Sequence, residues 1–180
     1  MAGLTGTGKS TIAQELARRW NLLYISSDIT RKALAGIAPG GHEYAPFEES
    51  IYSPELSRHT YDAILQQAEQ HLQKGYSVVL DATFRRAAER ARAVAVAHRA
   101  GVDVWLVECC LPEAEVQRRL ERRFQNADSM SDGRWELFRQ LQQQWEPVAE
   151  VPANRYLRSD TSGPPQKTLR QLLYQLYASM

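Results

Sequence analysis

Three glycines and a lysine near the start constrain this chain more than any other feature. Gly3-Leu4-Thr5-Gly6-Thr7-Gly8-Lys9-Ser10, followed by Thr11, fits the Walker A spacing G-x-x-x-x-G-K-[ST]. Glycines at these positions let the backbone take positive φ, so successive N–H groups can turn inward and ring an anion. A helix opening near Lys9 adds its own unpaired N–H groups and the positive end of its dipole to the same spot. Lys9 then supplies a mobile charge for the β- and γ-phosphates of a nucleotide, and the Ser10 hydroxyl a ligand for Mg²⁺. Gly3, Thr5, Gly6, Thr7, Gly8, Lys9, Ser10 and Thr11 are therefore the candidate nucleotide-binding residues. A glycine turn without a ligand is the bland alternative. Ile12, Ala13, Leu16, Ala17 and Trp20 argue against it, because they give the next segment a helical apolar stripe.

The rest of the chain alternates strand and helix signals. Leu22–Ser26 is a short apolar run that reads as a buried strand, and Ser26-Ser27-Asp28 offers caps for a short helix ending at Gly36. From Ile37 to Pro54, Pro and Gly are frequent and a functional loop is expected. Pro54 opens a helix with Tyr61, Ile64, Leu65, Ala68 and Leu72 on one face, closed by Lys74-Gly75. Tyr76–Thr83 is the strongest strand signal and contains Asp81. A helix over Arg85–Ala100, a strand over Val102–Cys109 and a helix from Pro112 follow. A break at Asp128–Gly133, a helix over Arg134–Trp145, a strand at Arg155–Leu157 and a closing helix over Leu169–Tyr177 complete the series. Such alternation predicts an α/β fold with a parallel sheet covered by helices on both faces. At 180 residues, one domain spanning 1–180 is expected.

Composition removes several function classes. Lys plus Arg number 22 against 21 Asp plus Glu, so no global basic field for nucleic acid exists. Cys109 and Cys110, the two cysteines, are adjacent and form no disulfide framework, which suits a reducing, cytoplasmic setting. The longest mostly apolar run, Val102–Leu111, is too short to span a bilayer, and no signal-peptide pattern precedes the glycine loop. Phosphate loops ordinarily follow a buried central strand, yet only Met1 and Ala2 precede Gly3. Either the first strand is missing from this chain or Met1 is an internal methionine of a longer protein; the second is the expectation adopted here.

Phosphoryl transfer needs a magnesium site, a group to receive the acceptor proton, and cations against the transferred charge. In open parallel sheets these groups gather at the carboxyl ends of strands. Asp81 sits there as a Walker B-type acid, a candidate magnesium partner alongside Ser10; an ordinary helix-capping aspartate is its alternative. Asp28 is a candidate general base, with Arg31 one helical turn on, although an N-cap aspartate beside a surface arginine has the same spacing. Arg118, Arg119, Arg122 and Arg123 cluster on one helix. They read either as a lid over the triphosphate or as a solvated face balanced by Glu115 and Glu121. Arg85, Arg86, Arg90, Arg92 and Arg99 read as a solvated helix face. His42, His59, His71 and His98 lack metal-ligand spacing, and Trp105 and Trp135 read as half-buried anchors.

With these residues in place, the chain resembles the P-loop kinases, among them gluconate kinases, the kinase half of phage polynucleotide kinase, zeta toxins and adenylate kinase. More closely, it resembles a bacterial kinase-like domain of AAA ATP-binding type, often found C-terminal to an aminoglycoside-phosphotransferase-like domain. The match runs through Gly3–Ser10, Ile25-Ser26-Ser27-Asp28-x-x-Arg31-Lys32, Ile51-Tyr52-Ser53-Pro54, Val79-Leu80-Asp81-Ala82-Thr83-Phe84 and Ser131-Asp132. The resemblance implies a three-layer P-loop NTPase fold with kinase-like strand order, the Asp81 strand beside the loop strand, and a helical lid over about 112–133. It implies Asp28 as the acceptor-activating acid and Arg31 as a substrate or phosphate contact. Arg119 or Arg123 would be the lid arginine, and the loop Asp160–Pro164, including Thr161, would lie near the adenine. ATP and Mg²⁺ are the implied cofactors, and a small-molecule or nucleotide hydroxyl the implied acceptor. A regulatory slow-ATPase module of a fused protein, and a nucleic-acid 5′-end kinase, are the alternatives. No membrane partner is expected.

Overall fold

Helix α1 (Lys9–Trp20) begins where the glycine loop ends, in a computed structural model that describes residues 1–37, 51–125 and 135–178, without the side chains of 123–125. Strand β1 (Leu23–Ser26), helix α2 (Ser27–Leu34), helix α3 (Pro54–Gln73), strand β2 (Val78–Asp81) and helix α4 (Ala87–Arg99) follow. The second half comprises strand β3 (Leu106–Cys110), helices α5 (Glu113–Gln125) and α6 (Trp135–Gln143), strand β4 (Tyr156–Asp160) and helix α7 (Pro165–Ala178). Serines set two of the helix starts. The Ser26 hydroxyl accepts from the Ile29 amide at 3.4 Å and Ser53 from Leu56 at 3.3 Å, each satisfying an orphan donor.

β1 and β2 pair in parallel, with Tyr24 opposite Val79 and Ser26 opposite Asp81; β3 and β4 pair in parallel from Leu106–Tyr156 to Cys110–Asp160. Residues 1–3 run between the two ladders. The Met1 amino group donates to the Leu80 carbonyl at 2.8 Å and Gly3 N–H to Thr83 at 3.2 Å, while Ala2 exchanges bonds with Val107 and Cys109 on the other side. The order across the sheet is thus β1, β2, residues 1–3, β3, β4, with the Asp81 strand beside the phosphate loop. Below Met1, β2 and β3 part around an apolar cavity of about 420 Å³ that Val79, Trp105, Val107 and Leu176 help to line.

Alternation along each strand decides which helix covers it. Val79, Val107 and Cys109 point to the face packed by Ile12, Leu16, Leu169 and Leu172 of α1 and α7. Ile25, Leu106 and Ala82 point to the opposite face, under Tyr61, Ile64, Leu65 and Val96 of α3 and α4. A smaller cluster joins α5 and α6 to the loop through Val116, Leu120, Phe138 and Leu4. Three layers result.

Several expected boundaries shift for local reasons. α4 starts at Ala87 rather than Arg85, because Phe84 takes φ of 48° and Arg86 is extended. β3 is paired only from Leu106, where Tyr156 meets it, and Ala2 joins on the other side opposite Glu108. α7 begins earlier, at Pro165, a residue suited to a first turn. Arg90 is a correction: expected on a solvated face, it is only 1% exposed. Its guanidinium reaches Glu150 (2.6 Å), the Phe84 carbonyl (2.9 Å) and the Pro147 carbonyl (2.8 Å), pinning 145–151 to the start of α4. Arg92 and Arg99 do lie in solvent, paired with Asp62 and Glu69. Most of the expected loop after Ile37, the break at Asp128–Gly133 with Ser131-Asp132, and His42 lie outside the described residues. No described helix is long and apolar enough to cross a membrane.

Candidate active site

The phosphate loop is shaped by contacts that exclude side chains. Gly6 has φ of 81°, and a Cβ there would lie 2.9 Å from Val116 Cγ1 and 3.1 Å from Leu120 Cγ. Gly8, at φ 82°, caps α1 with no side-chain bond to the first turn, and no acidic residue occupies that turn. The first N–H groups of α1 have no intrahelical partner. They therefore form an uncapped positive end open to an anion. Thr7 braces the turn through its hydroxyl, which donates to the Leu4 carbonyl at 2.7 Å. Gly3 is buried at the sheet, Thr5 is partly exposed, and Ser10 and Thr11 are exposed at the rim.

Lys9 and Asp81 meet over this end. Lys9 Nζ lies 2.8 Å from Asp81 Oδ1 and donates to the Ser10 hydroxyl at 3.4 Å. Asp81 is 2% exposed, and its other oxygen accepts from the Tyr24 hydroxyl at 2.6 Å. Burial opposes the carboxylate's charge, yet the Lys9 ammonium and the Tyr24 and Ser10 hydroxyls outweigh it and hold Asp81 below its ordinary value. The Tyr24 phenol moves the other way, to about 12, through burial and the neighbouring carboxylate. Ser10 and Asp81 present hard oxygen donors, the kind magnesium takes when phosphates complete its shell. Among the described residues, no three His, Cys, Asp or Glu side chains are grouped to hold a metal by themselves.

Two expected nucleotide contacts reach the loop from the far half of the chain. Thr161 follows β4 and donates its hydroxyl to the Thr7 carbonyl at 2.5 Å. Arg119, on the face of α5 toward the loop, donates to the Thr161 carbonyl at 2.7 Å and sits where a Gly8 Cβ would come within 3.2 Å of Nη1. Arg118 points to solvent and pairs with Glu115, and Arg122 is exposed. The four arginines are thus not equivalent. The Arg123 side chain lies outside the described residues.

Asp28 stands in the first turn of α2, directly after β1, whose last residue pairs with Asp81. The carboxylate is 38% exposed, and Lys32 Nζ lies 3.8 Å from it. Arg31 turns inward instead of presenting its guanidinium openly. It donates to the Ile51 carbonyl and the Ser57 hydroxyl, each at 3.0 Å, and stacks 5.1 Å from the Tyr52 ring centre. Burial lowers its basicity. Arg31 thereby ties α2 to the segment leading into α3.

Sequence reasoning missed Tyr24, Lys32 and the Tyr61 hydroxyl, which accepts from the Phe84 amide at 3.0 Å and fixes the left-handed turn after Asp81. Tyr24 had one legible signal: a phenol inside an otherwise apolar strand. Its partner follows only from the register that sets it two residues below Ser26, the partner of Asp81.

An uncapped helix behind a glycine loop, a lysine against a strand-end acid beside it, and a three-layer parallel sheet together define the P-loop NTPase fold in its kinase-like form. The AAA domain family profile (AAA_33) matches residues 1–148, and the chain belongs to that family. Among solved structures it is similar to a sugar kinase from Janibacter sp. HTCC2649, with a TM-score of 0.70 and 17% identity over 98% of this chain and 91% of that one. A gluconokinase from Sinorhizobium meliloti 1021 gives 0.63 and 17% over 98% and 89%. The Mycobacterium tuberculosis APS kinase in complex with AMPPNP and APS gives 0.62 and 20% over 98% and 94%. Among curated proteins nothing matches.

Proposed function

We propose that the protein is a kinase moving the γ-phosphate of MgATP to a hydroxyl of a small molecule or nucleotide. The observation that carries this reading is the 2.8 Å contact of Lys9 with Asp81 at the uncapped end of α1. Main-chain amides of residues 3–11 hold the phosphates. Lys9 exchanges its carboxylate partner for the β- and γ-oxygens, and Arg119, with Arg123 one turn on, screens the charge spread over the transferred group. Ser10 and Asp81 would hold Mg²⁺, which supplies charge neutralisation at the phosphates. Asp28 accepts the acceptor proton as the hydroxyl oxygen bonds to the γ-phosphorus and the bond to the β-phosphate oxygen breaks, leaving ADP. Arg31 shapes the acceptor side through Ile51 and Ser57. Thr161 and its loop border the adenine. A sugar kinase, a gluconokinase and an APS kinase among the structural neighbours support a small-molecule acceptor without selecting one.

One competing reading is a regulatory module that hydrolyses ATP slowly and signals to a fused phosphotransferase-like domain. Incubation with ATP, Mg²⁺ and a panel of hydroxyl metabolites, read by mass spectrometry, separates the two. A phosphorylated acceptor that disappears with Asp28→Asn is expected; slow phosphate release with no phosphorylated product refutes the kinase reading.

A further inference from the structure

Asp81 is held from both sides, by Lys9 and Ser10 from the phosphate loop and by Tyr24 from β1. Lys9 takes Oδ1, while the Tyr24 hydroxyl donates to Oδ2 at 2.6 Å. In the β1–β2 register Tyr24 lies opposite Val79 and Ser26 opposite Asp81. Tyr24 and Asp81 therefore share the sheet face covered by α1, one pair apart, and the phenol spans that pair diagonally. The Ser26 and Gln14 side chains adjoin the same hydroxyl.

The last torsion of an aspartate is broad, so a carboxylate buried away from water takes its orientation from its partners. Lys9 is a poor permanent partner, because a triphosphate in the loop competes for the same ammonium. Tyr24 is not drawn away, since its strand is fixed by the ladder to β2.

We propose that Tyr24 is a positioning residue: it holds Oδ2 so that Oδ1 stays aimed toward Ser10 and the loop when Lys9 leaves for the phosphates. This rests on the reading of Asp81 as the metal-side acid. If Tyr24 were mere core filling, losing its hydroxyl would leave magnesium dependence untouched.

The test is calorimetric binding of a non-hydrolysable ATP analogue to the full chain, with Mg²⁺ and with EDTA. Three variants are compared, Tyr24→Phe, Tyr24→Met and Asp81→Asn, each with its unfolding temperature measured. Removing the hydroxyl is expected to leave the affinity in EDTA unchanged and to cut the gain from Mg²⁺ by about tenfold, the low end for partners that orient a metal-side group. Asp81→Asn is expected to abolish the gain. A full magnesium gain in both folded Tyr24 variants, with Asp81→Asn still abolishing it, overturns the role of Tyr24 alone. A full gain in Asp81→Asn overturns the Asp81 reading and the proposal together.

Discussion

The two ends of the candidate site are built by different means. At the nucleotide end, recognition is backbone work: an uncapped helix, a turn closed to side chains by Val116 and Leu120, and one lysine. At the end proposed for the acceptor it is side-chain work. Asp28 and Lys32 face each other at 3.8 Å, and Arg31 is spent on Ile51, Ser57 and Tyr52. Amides have no identity, so the first design recurs in any chain with the right glycines. The second depends on which residues happen to face the cleft. The contrast teaches why the phosphate donor is readable from a motif whereas the acceptor is not.

The contrast breaks if substitutions at the two ends have the same signature. The largest combined effect, on turnover and binding together, is expected at Lys9: Lys9→Ala lowers turnover by about 10²–10³, the scale of losing a charge-stabilising donor, and weakens ATP as well. Steady-state kinetics with nucleotide titration checks both. Asp28→Asn is expected to cost about 10²–10⁴ in turnover with ATP affinity nearly intact. An equal loss of ATP binding in that variant would erase the distinction between the ends. Gly6→Ala forces strain of about 1–3 kcal/mol against α5, which weakens nucleotide binding while thermal unfolding stays cooperative. Ser57→Ala removes one Arg31 bond, worth about 1.5–3 kcal/mol at most for a charged donor, and raises the acceptor KM without moving that of ATP.

The smallest effect sharpens the comparison through pH. Asp81 and Glu150 both have lowered pKa values, the first despite burial, the second mainly through its bond to Arg90. Such carboxylates contribute stability above their ordinary values of 3.8 and 4.5, and lose it as pH falls through the lower folded values. Urea midpoints measured from pH 5 to pH 3 should fall, and more shallowly for Asp81→Asn.

Much of the fold lay in the periodicity. α1, α3 and α7 carry their apolar stripes in plain sight, and Val78-Val79-Leu80 is an apolar run with Val79 buried on one face and Val78 and Leu80 half-buried on the other. What was hidden involved pairing or long reach. Arg90 looks like any arginine of a basic helix, because its partners Glu150 and Pro147 lie about sixty positions away and meet it only after folding. Phe84 gives no cue to its left-handed backbone, which the Tyr61 hydroxyl stabilises from another helix. At the site, Gly3–Thr11 and Asp81 were readable as a motif and a strand-end acid. Helical spacing alone did not separate Arg119 from Arg118 and Arg122, since that depends on which side of α5 faces Gly8; only the family resemblance pointed to Arg119 or Arg123.

Val116 and Leu120 form the underside of the glycine turn, and Arg119 from the same two turns of helix leans over its top. Bed and cover are thus one mechanical part. Any displacement of α5 would therefore carry the underside and the cover of the glycine turn together.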